Sequence, residues 1–273
     1  MQSHLSSPWN NAVAFVSMLY GGQSLSSGSC FFWLFDGRTY LLTNWHNLSG
    51  RNPFTGQPMS ETGGVPDRIR FMAYKPVSEL DTHGYFQLEY VSVEVRLCKP
   101  DLTEPKWFEH LSFGRRVDVA ALDVTDTLQG LQIDHANTLE SDAVIEPTAS
   151  QDVFVVGFPF GLIANAPAPI WKRGSIAIDP TFDPDGLPKM LVDTATREGM
   201  SGSLVIARHI IVGREYLKKD GTMSQPVLYS KLDLVVGIYS GRHYRDLEKA
   251  QLGIVWKRSA VEETIKGRKG ATV

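Results

Sequence analysis

Short apolar runs separated by turn residues dominate this chain, and no long stretch repeats with the 3.6-residue period of a helix. Ala12 to Tyr20 predicts a first strand. Cys30 to Phe35 and Thr39 to Trp45 predict a hairpin around Asp36-Gly37-Arg38. Arg68 to Tyr74, Tyr85 to Leu97 and Val117 to Val124 continue the series. After a linker near Thr125 to Thr138, a second series predicts strands at Asp152 to Gly157, Ile170 to Ile178, Lys189 to Asp193, Ser203 to Val212, Leu228 to Tyr239 and Gly253 to Trp256. Ser259 to Lys266 predicts a terminal helix, with Ser259 as its cap and Glu262 three residues on. The class is all-β. Two β series of similar length suggest two barrels, although periodicity alone does not separate barrels from a sandwich.

Two segments break the strand pattern. Gly50 to Pro66 is rich in Gly, Pro, Ser and Thr, and Arg214 to Gln225 carries Lys218-Lys219-Asp220-Gly221, a turn signal. Both read first as surface loops. The sharper alternative is that they rim a cleft and restrict substrates.

Composition narrows the partners. The chain has 273 residues, 42% of them hydrophobic and 21% charged, within the range of a soluble globular protein. A net charge of −3 gives no reason to expect nucleic acid. No apolar run reaches membrane-spanning length, so no membrane partner is expected. Ala12 to Tyr20 is short and no Lys or Arg precedes it, which makes a poor signal peptide. Two cysteines, Cys30 and Cys98, cannot build a disulfide framework and read first as buried thiols, with a single bridge as the alternative. The expected setting is cytoplasmic, with secretion left open.

The candidate chemistry lies in three places. Ser201 sits in Gly199-Met200-Ser201-Gly202-Ser203, a glycine-flanked serine suited to a sharp turn around a nucleophile. His46 follows the apolar run Tyr40-Leu41-Leu42 within Thr43-Asn44-Trp45-His46. Asp118 heads Val119-Ala120-Ala121-Leu122. Each alone has an ordinary structural explanation: a Gly/Ser turn, a half-buried histidine, a strand-end acid. Together, in the order His, Asp, Ser, they form a candidate triad. A serine hydroxyl needs a base within hydrogen-bond reach; an imidazole, which titrates near pH 6.5 in model peptides, suits that role, and a carboxylate fixes its tautomer. Activity is therefore expected to rise with pH as His46 loses its proton. The other histidines, His4, His83, His110, His135, His209 and His243, lack such a context, and Asp123 would face the other way on the same strand. No His/Cys cluster has metal-ligand spacing and no phosphate-binding glycine loop is present, so neither metal nor cofactor is expected.

These motifs resemble those of trypsin-like serine peptidases, in their bacterial-type branch. Thr43-Asn44-Trp45-His46 is similar to the family's histidine motif, Asp118-Val119-Ala120 to its Asp-Ile-Ala segment, and Gly199 to Ser203 to its Gly-Asp-Ser-Gly-Gly. Val156-Gly157-Phe158-Pro159-Phe160-Gly161 and Gly237-Ile238-Tyr239-Ser240 resemble segments of its second barrel. The likeness runs from about Gly28 to Gly241. It implies two six-stranded antiparallel β-barrels of chymotrypsin type: an N-terminal barrel over 8–125 carrying His46 and Asp118, a C-terminal barrel over 139–258 carrying Ser201, then a terminal helix and tail over 259–273.

The resemblance also implies a function. A serine endopeptidase would act on peptide or protein substrates through an acyl-enzyme. A latent binding module and an esterase using the same triad are the alternatives. The backbone N–H groups of Gly199 and Ser201 would form the oxyanion hole. Ala195, Thr196, Tyr239, Ser240, Gly241 and Arg242 would bind substrate, Ser240 to Arg242 offering backbone hydrogen bonds to an extended peptide. Ala195 stands where relatives that cleave after Lys or Arg have an aspartate, so a small or apolar residue before the scissile bond is expected. Tyr239 replaces the histidine of glutamate-specific relatives, and Arg242 and His243 read as solvated rim charges before they read as an acid-binding pair. Met200 replaces the aspartate that pairs with a newly cut N-terminus in zymogens. Activation by that route is not expected: either the site folds competent, or an activating partner orders it. Asn47 follows His46, so the cystine that crosses the histidine loop in digestive relatives cannot form. With only a helix and a short tail after the second barrel, a chaperone-protease carrying a peptide-binding domain is not expected.

Overall fold

Alternating burial along the apolar runs makes strands, and their pairing makes two antiparallel sheets. The computed structural model describes residues 7–60, 63–78, 88–99, 104–161, 168–195, 197–241 and 251–272. The first half contains β1 (Val13–Tyr20), β2 (Gln23–Phe35), β3 (Arg38–Thr43), the short helix α1 (Trp45–Ser49), β4 (Arg68–Pro76), β5 (Leu88–Arg96), β6 (Trp107–Glu109) and β7 (Ala120–Asp123). The second half contains β8 (Asp152–Gly157), β9 (Ile170–Ile176), β10 (Lys189–Asp193), β11 (Leu204–Arg214), β12 (Val227–Tyr239) and β13 (Leu252–Lys257), followed by α2 (Arg258–Gly267) and β14 (Lys269–Gly270).

The second sheet closes into the expected six-stranded barrel, in the order β10-β13-β12-β11-β8-β9. The first has eight strands where six were expected, in the order β14-β6-β7-β3-β2-β1-β4-β5. The difference comes from two very short strands: β6 pairs with β7, and β14 returns from the end of the described chain to pair with β6. The all-β class is as expected, but among the described residues only the second sheet closes into a barrel; the first is an eight-stranded sheet.

Each sheet has its own core. Val16, Phe32, Leu41, Trp45, Phe71 and Trp107 fill the first, and Val153, Val155, Met190, Val205 and Val255 the second. A third cluster lies between them, where Phe31, Trp33 and Leu42 of the first half meet Phe158, Leu204, Ile238 and Trp256 of the second. Helix α2 buries Ala260, Val261, Thr264 and Ile265, one face at i, i+4 spacing, against the same seam. Arg258 lies 5.3 Å over the Trp33 ring.

Several boundaries differ from the sequence reading. The strand expected to reach Trp45 stops at Thr43: Asn44 stands at the N-terminal boundary of α1, which begins at Trp45. The strand expected from Val117 starts at Ala120, so Asp118 precedes it. Residues 85–87 of the expected Tyr85 to Leu97 strand lie outside the described residues. Ser259 is inside α2, not its cap: β13 runs straight into the helix, and Lys257 holds the cap position with its Nζ on Phe182 O and Asp183 Oδ1. Cys30 and Cys98 are both free. Burial raises the Cys30 thiol pKa, and its Sγ donates to Ala14 O at 3.5 Å. Among the described residues no helix is long and apolar enough to cross a membrane.

Candidate active site

Helix α1 places His46. Asn44 ends β3 in extended conformation, and its side-chain amide donates to Asp118 O at 2.8 Å. Asp118, two residues before β7, is thereby held against the first turn of α1. His46 then meets the Asp118 carboxylate twice: its backbone N–H donates to Oδ1 at 2.9 Å and its ring Nδ1 lies 2.7 Å from Oδ2. Asp118 is fully buried and His46 is 7% exposed. Ser240, also fully buried, donates its hydroxyl to Asp118 Oδ2 at 2.5 Å. A buried carboxylate requires such donors, because an unpaired charge there costs several kcal/mol. Those three bonds fix the ring plane of His46 and leave a single tautomer compatible with an ionised Asp118, the one with the proton on Nδ1.

The Ser201 turn is built against the first half. Ser201 O accepts from the Ser29 backbone N–H at 2.8 Å and from Asn47 Nδ2 at 3.4 Å. Gly202 N–H donates to Tyr239 O at 2.9 Å. Gly199 and Gly202 both have φ of +85°, a region that costs other residues about 1–2 kcal/mol. Space is short as well: a Cβ on Gly202 would fall on Ser29 O and 2.5 Å from Thr43 Oγ1, and one on Gly199 would lie 2.6 Å from Phe158 O. Among the described residues, neither the Gly199 N–H nor the Ser201 N–H donates to a protein acceptor.

His46, Gly199 and Ser201 line one cavity of about 360 Å³, together with Leu25, Ser26, Asn47, Met59 and Glu198. Gly50, Met59, Ser60, Gly64 and Pro66 also face it, so the segment after the histidine helix rims the cleft. The 214–225 segment does not line this cavity. It folds onto the inter-sheet linker, where Lys219 N–H donates to Asp142 O and Val144 N–H to Leu217 O.

The proposed substrate residues divide. Ala195 is exposed and lies outside the cavity lining. The Tyr239 ring is buried in the second barrel, packed over Gly253. Ser240 contributes its side chain to Asp118, while its N–H donates to Ile254 O and Gly241 O accepts from Ile254 N–H. Those two backbone groups are therefore committed to β13 and not to a substrate strand. Thr196, Arg242 and His243 lie outside the described residues, as do His4 and His83. Asp123 faces Arg38, with which it pairs, and not the site. The hydroxyl of Ser240 was missed as a partner of Asp118: the two are 122 positions apart and no local pattern links them. Among the described residues, no group of His, Cys, Asp and Glu is arranged to hold a metal ion.

No family model matches the chain, and no curated protein matches it. Solved structures do. The chain is similar to the Rv3671c protease in an inactive form, with 15% identity, 95% of this chain and 89% of that one covered, and a TM-score of 0.43. A serine-to-alanine mutant of Rv3671c from M. tuberculosis H37Rv matches at 15% identity over 95% of this chain and 87% of that one, TM-score 0.43. The serine endoprotease from Yersinia pestis matches at 14% identity over 94% of this chain, with a TM-score of 0.45; this chain spans 62% of its length. Those neighbours are described as a protease and a serine endoprotease.

Proposed function

We propose that the protein is a serine endopeptidase. The observation that carries this reading is the His46–Asp118 pair, 2.7 Å apart and buried, with His46 and Ser201 walling one cavity. Ser201 attacks the substrate carbonyl carbon as its proton passes to His46 Nε2; Nδ1 is bound to Asp118. The carbonyl electron pair moves onto oxygen, where the Gly199 and Ser201 N–H groups receive it. One such donor is typically worth about 3–4 kcal/mol of transition-state stabilisation. Collapse expels the amine, which takes the proton from His46, and leaves an acyl-enzyme. Water, deprotonated by His46, repeats the sequence and frees Ser201. The cavity is assigned to the leaving-group residues, and Met59 and Leu25 favour an apolar side chain there.

Labelling with a fluorophosphonate probe tests the reading. The wild type is expected to label at Ser201, and Ser201→Ala and His46→Ala are not. A folded wild type that stays unlabelled refutes it. Cleavage of an internal peptide bond in a peptide library then separates a peptidase from an esterase.

A further inference from the structure

The loop that carries the proposed oxyanion donors is held without the ion pair that Met200 rules out. Two hydrogen bonds set the orientation of its peptide planes. Phe160 N–H donates to Glu198 O at 2.7 Å. Because a trans peptide directs its C=O and N–H to opposite sides, that bond turns the Gly199 N–H away from the 158–161 turn. The second bond comes from the other half of the molecule: Ser29 Oγ donates to Gly199 O at 3.0 Å. It fixes the next plane, whose Met200 N–H donates to Arg197 O at 3.3 Å.

Ser29 is fully buried and every polar group it has is used. Its Oγ also accepts from Phe158 N–H at 3.0 Å, its N–H donates to Ser201 O, and its carbonyl accepts from Thr43 Oγ1 at 2.9 Å. One hydroxyl thus joins the 158–161 turn to the 199–201 loop, and the same residue's backbone holds the proposed nucleophile's carbonyl. Gly157 leaves room for this, since a Cβ there would lie 2.6 Å from Ser29 Oγ.

Resting on the peptidase reading above, we infer that Ser29 is a positioning residue that keeps the Gly199 amide in its donor orientation across the seam between the two sheets. The site then folds competent by itself, with no cut N-terminus and no activating partner. Without the hydroxyl, Gly199 O and Phe158 N–H lose a shared partner and the loop is free to turn over.

The test compares wild type, Ser29→Ala and Ser29→Cys, the last retaining a weaker donor, on a peptide ester, with hydrogen exchange followed over residues 197–203. Ser29→Ala is expected to lower kcat about tenfold, to move KM less than twofold, to leave the pH profile in shape, and to speed exchange in the loop. Ser29→Cys is expected to fall between the two, which covers the case of an Ala variant that does not fold. A lowered melting temperature with unchanged kcat in the folded variants would make Ser29 merely structural and overturn the inference. A silent wild type is a different result: it removes the peptidase reading, and the inference with it.

Discussion

Replacing Asp118 with asparagine separates tautomer control from structure. Oδ1 receives the His46 backbone N–H, which cannot rotate, so the carbonyl oxygen of the new carboxamide is forced into that position. The amide nitrogen then occupies the Oδ2 position, facing His46 Nδ1 and Ser240 Oγ. Both neighbours can adapt. Ser240 turns its hydroxyl to accept, and the imidazole moves its proton from Nδ1 to Nε2. The Ser240 O–H proton alone loses Asp118 as its acceptor, so the loss of stability is expected to be about 1–3 kcal/mol. The proposed chemistry suffers far more, because a ring protonated on Nε2 cannot take the Ser201 proton. In a Ser-His-Asp triad this wrong-tautomer effect is worth about 10⁴ in kcat, or about 5.4 kcal/mol of barrier. Ester hydrolysis by Asp118→Asn and wild type, alongside thermal melts and nitrogen NMR of the His46 ring, gives all three quantities. A variant that keeps activity within tenfold of wild type while its Nε2 carries the proton would refute the reasoning.

Other expectations follow from the same contacts. Gly202→Ala combines the +85° φ with overlap on Ser29 O, and should cost about 2–4 kcal/mol in a denaturant melt; a loss below about 0.5 kcal/mol would show that the nucleophile turn relaxes freely. Met59→Glu should lower the preference for an apolar residue after the scissile bond about fivefold in a peptide-library profile, and an unchanged profile would remove the cavity from the leaving-group side. Burial lowers the pKa of both His110 and His135 in the fold. The unfolded chain therefore takes up protons first, so stability present above about pH 6.5 declines as pH falls from there through the lower folded values. Urea melts at successive pH values measure this, and substituting both histidines with glutamine should flatten that part of the profile.

Much of the framework was readable because it depends on local pattern. β8 at Asp152–Gly157 and β10 at Lys189–Asp193 lie where their apolar runs placed them, and His46, Asp118 and Ser201 were named from short motifs. The N-terminal part of β2 was not readable: Gln23 to Ser27 is polar and largely exposed, and it belongs to the sheet only through backbone pairing with β1. β6 is three residues long, too short to show an alternation. Helix α1 did leave a signal, since Asn44 and Gly50 stand at its two ends, but five residues between an apolar strand and a Gly/Pro-rich segment look like a strand end. Ser29 and Ser240 act through contacts 170 and 122 positions away, which only the closed fold reveals.

The return of β14 to β6 has a consequence for how the chain is made. Lys269 pairs with Glu109 and Gly270 with Phe108, and Lys269 Nζ meets the buried Glu109 carboxylate at 3.0 Å. During synthesis, β6 is exposed long before its neighbour emerges, and the intervening residues must be threaded out and folded first. Closing so long a loop is entropically slow, and sheets dominated by such contacts fold late. The half that supplies the proposed base therefore waits, with an open edge, for residues made about 160 positions after it. A ribosome stalled before residue 269 would hold an unfinished first sheet, and the proposed cutting machinery would be assembled only after the second half had cleared the exit tunnel.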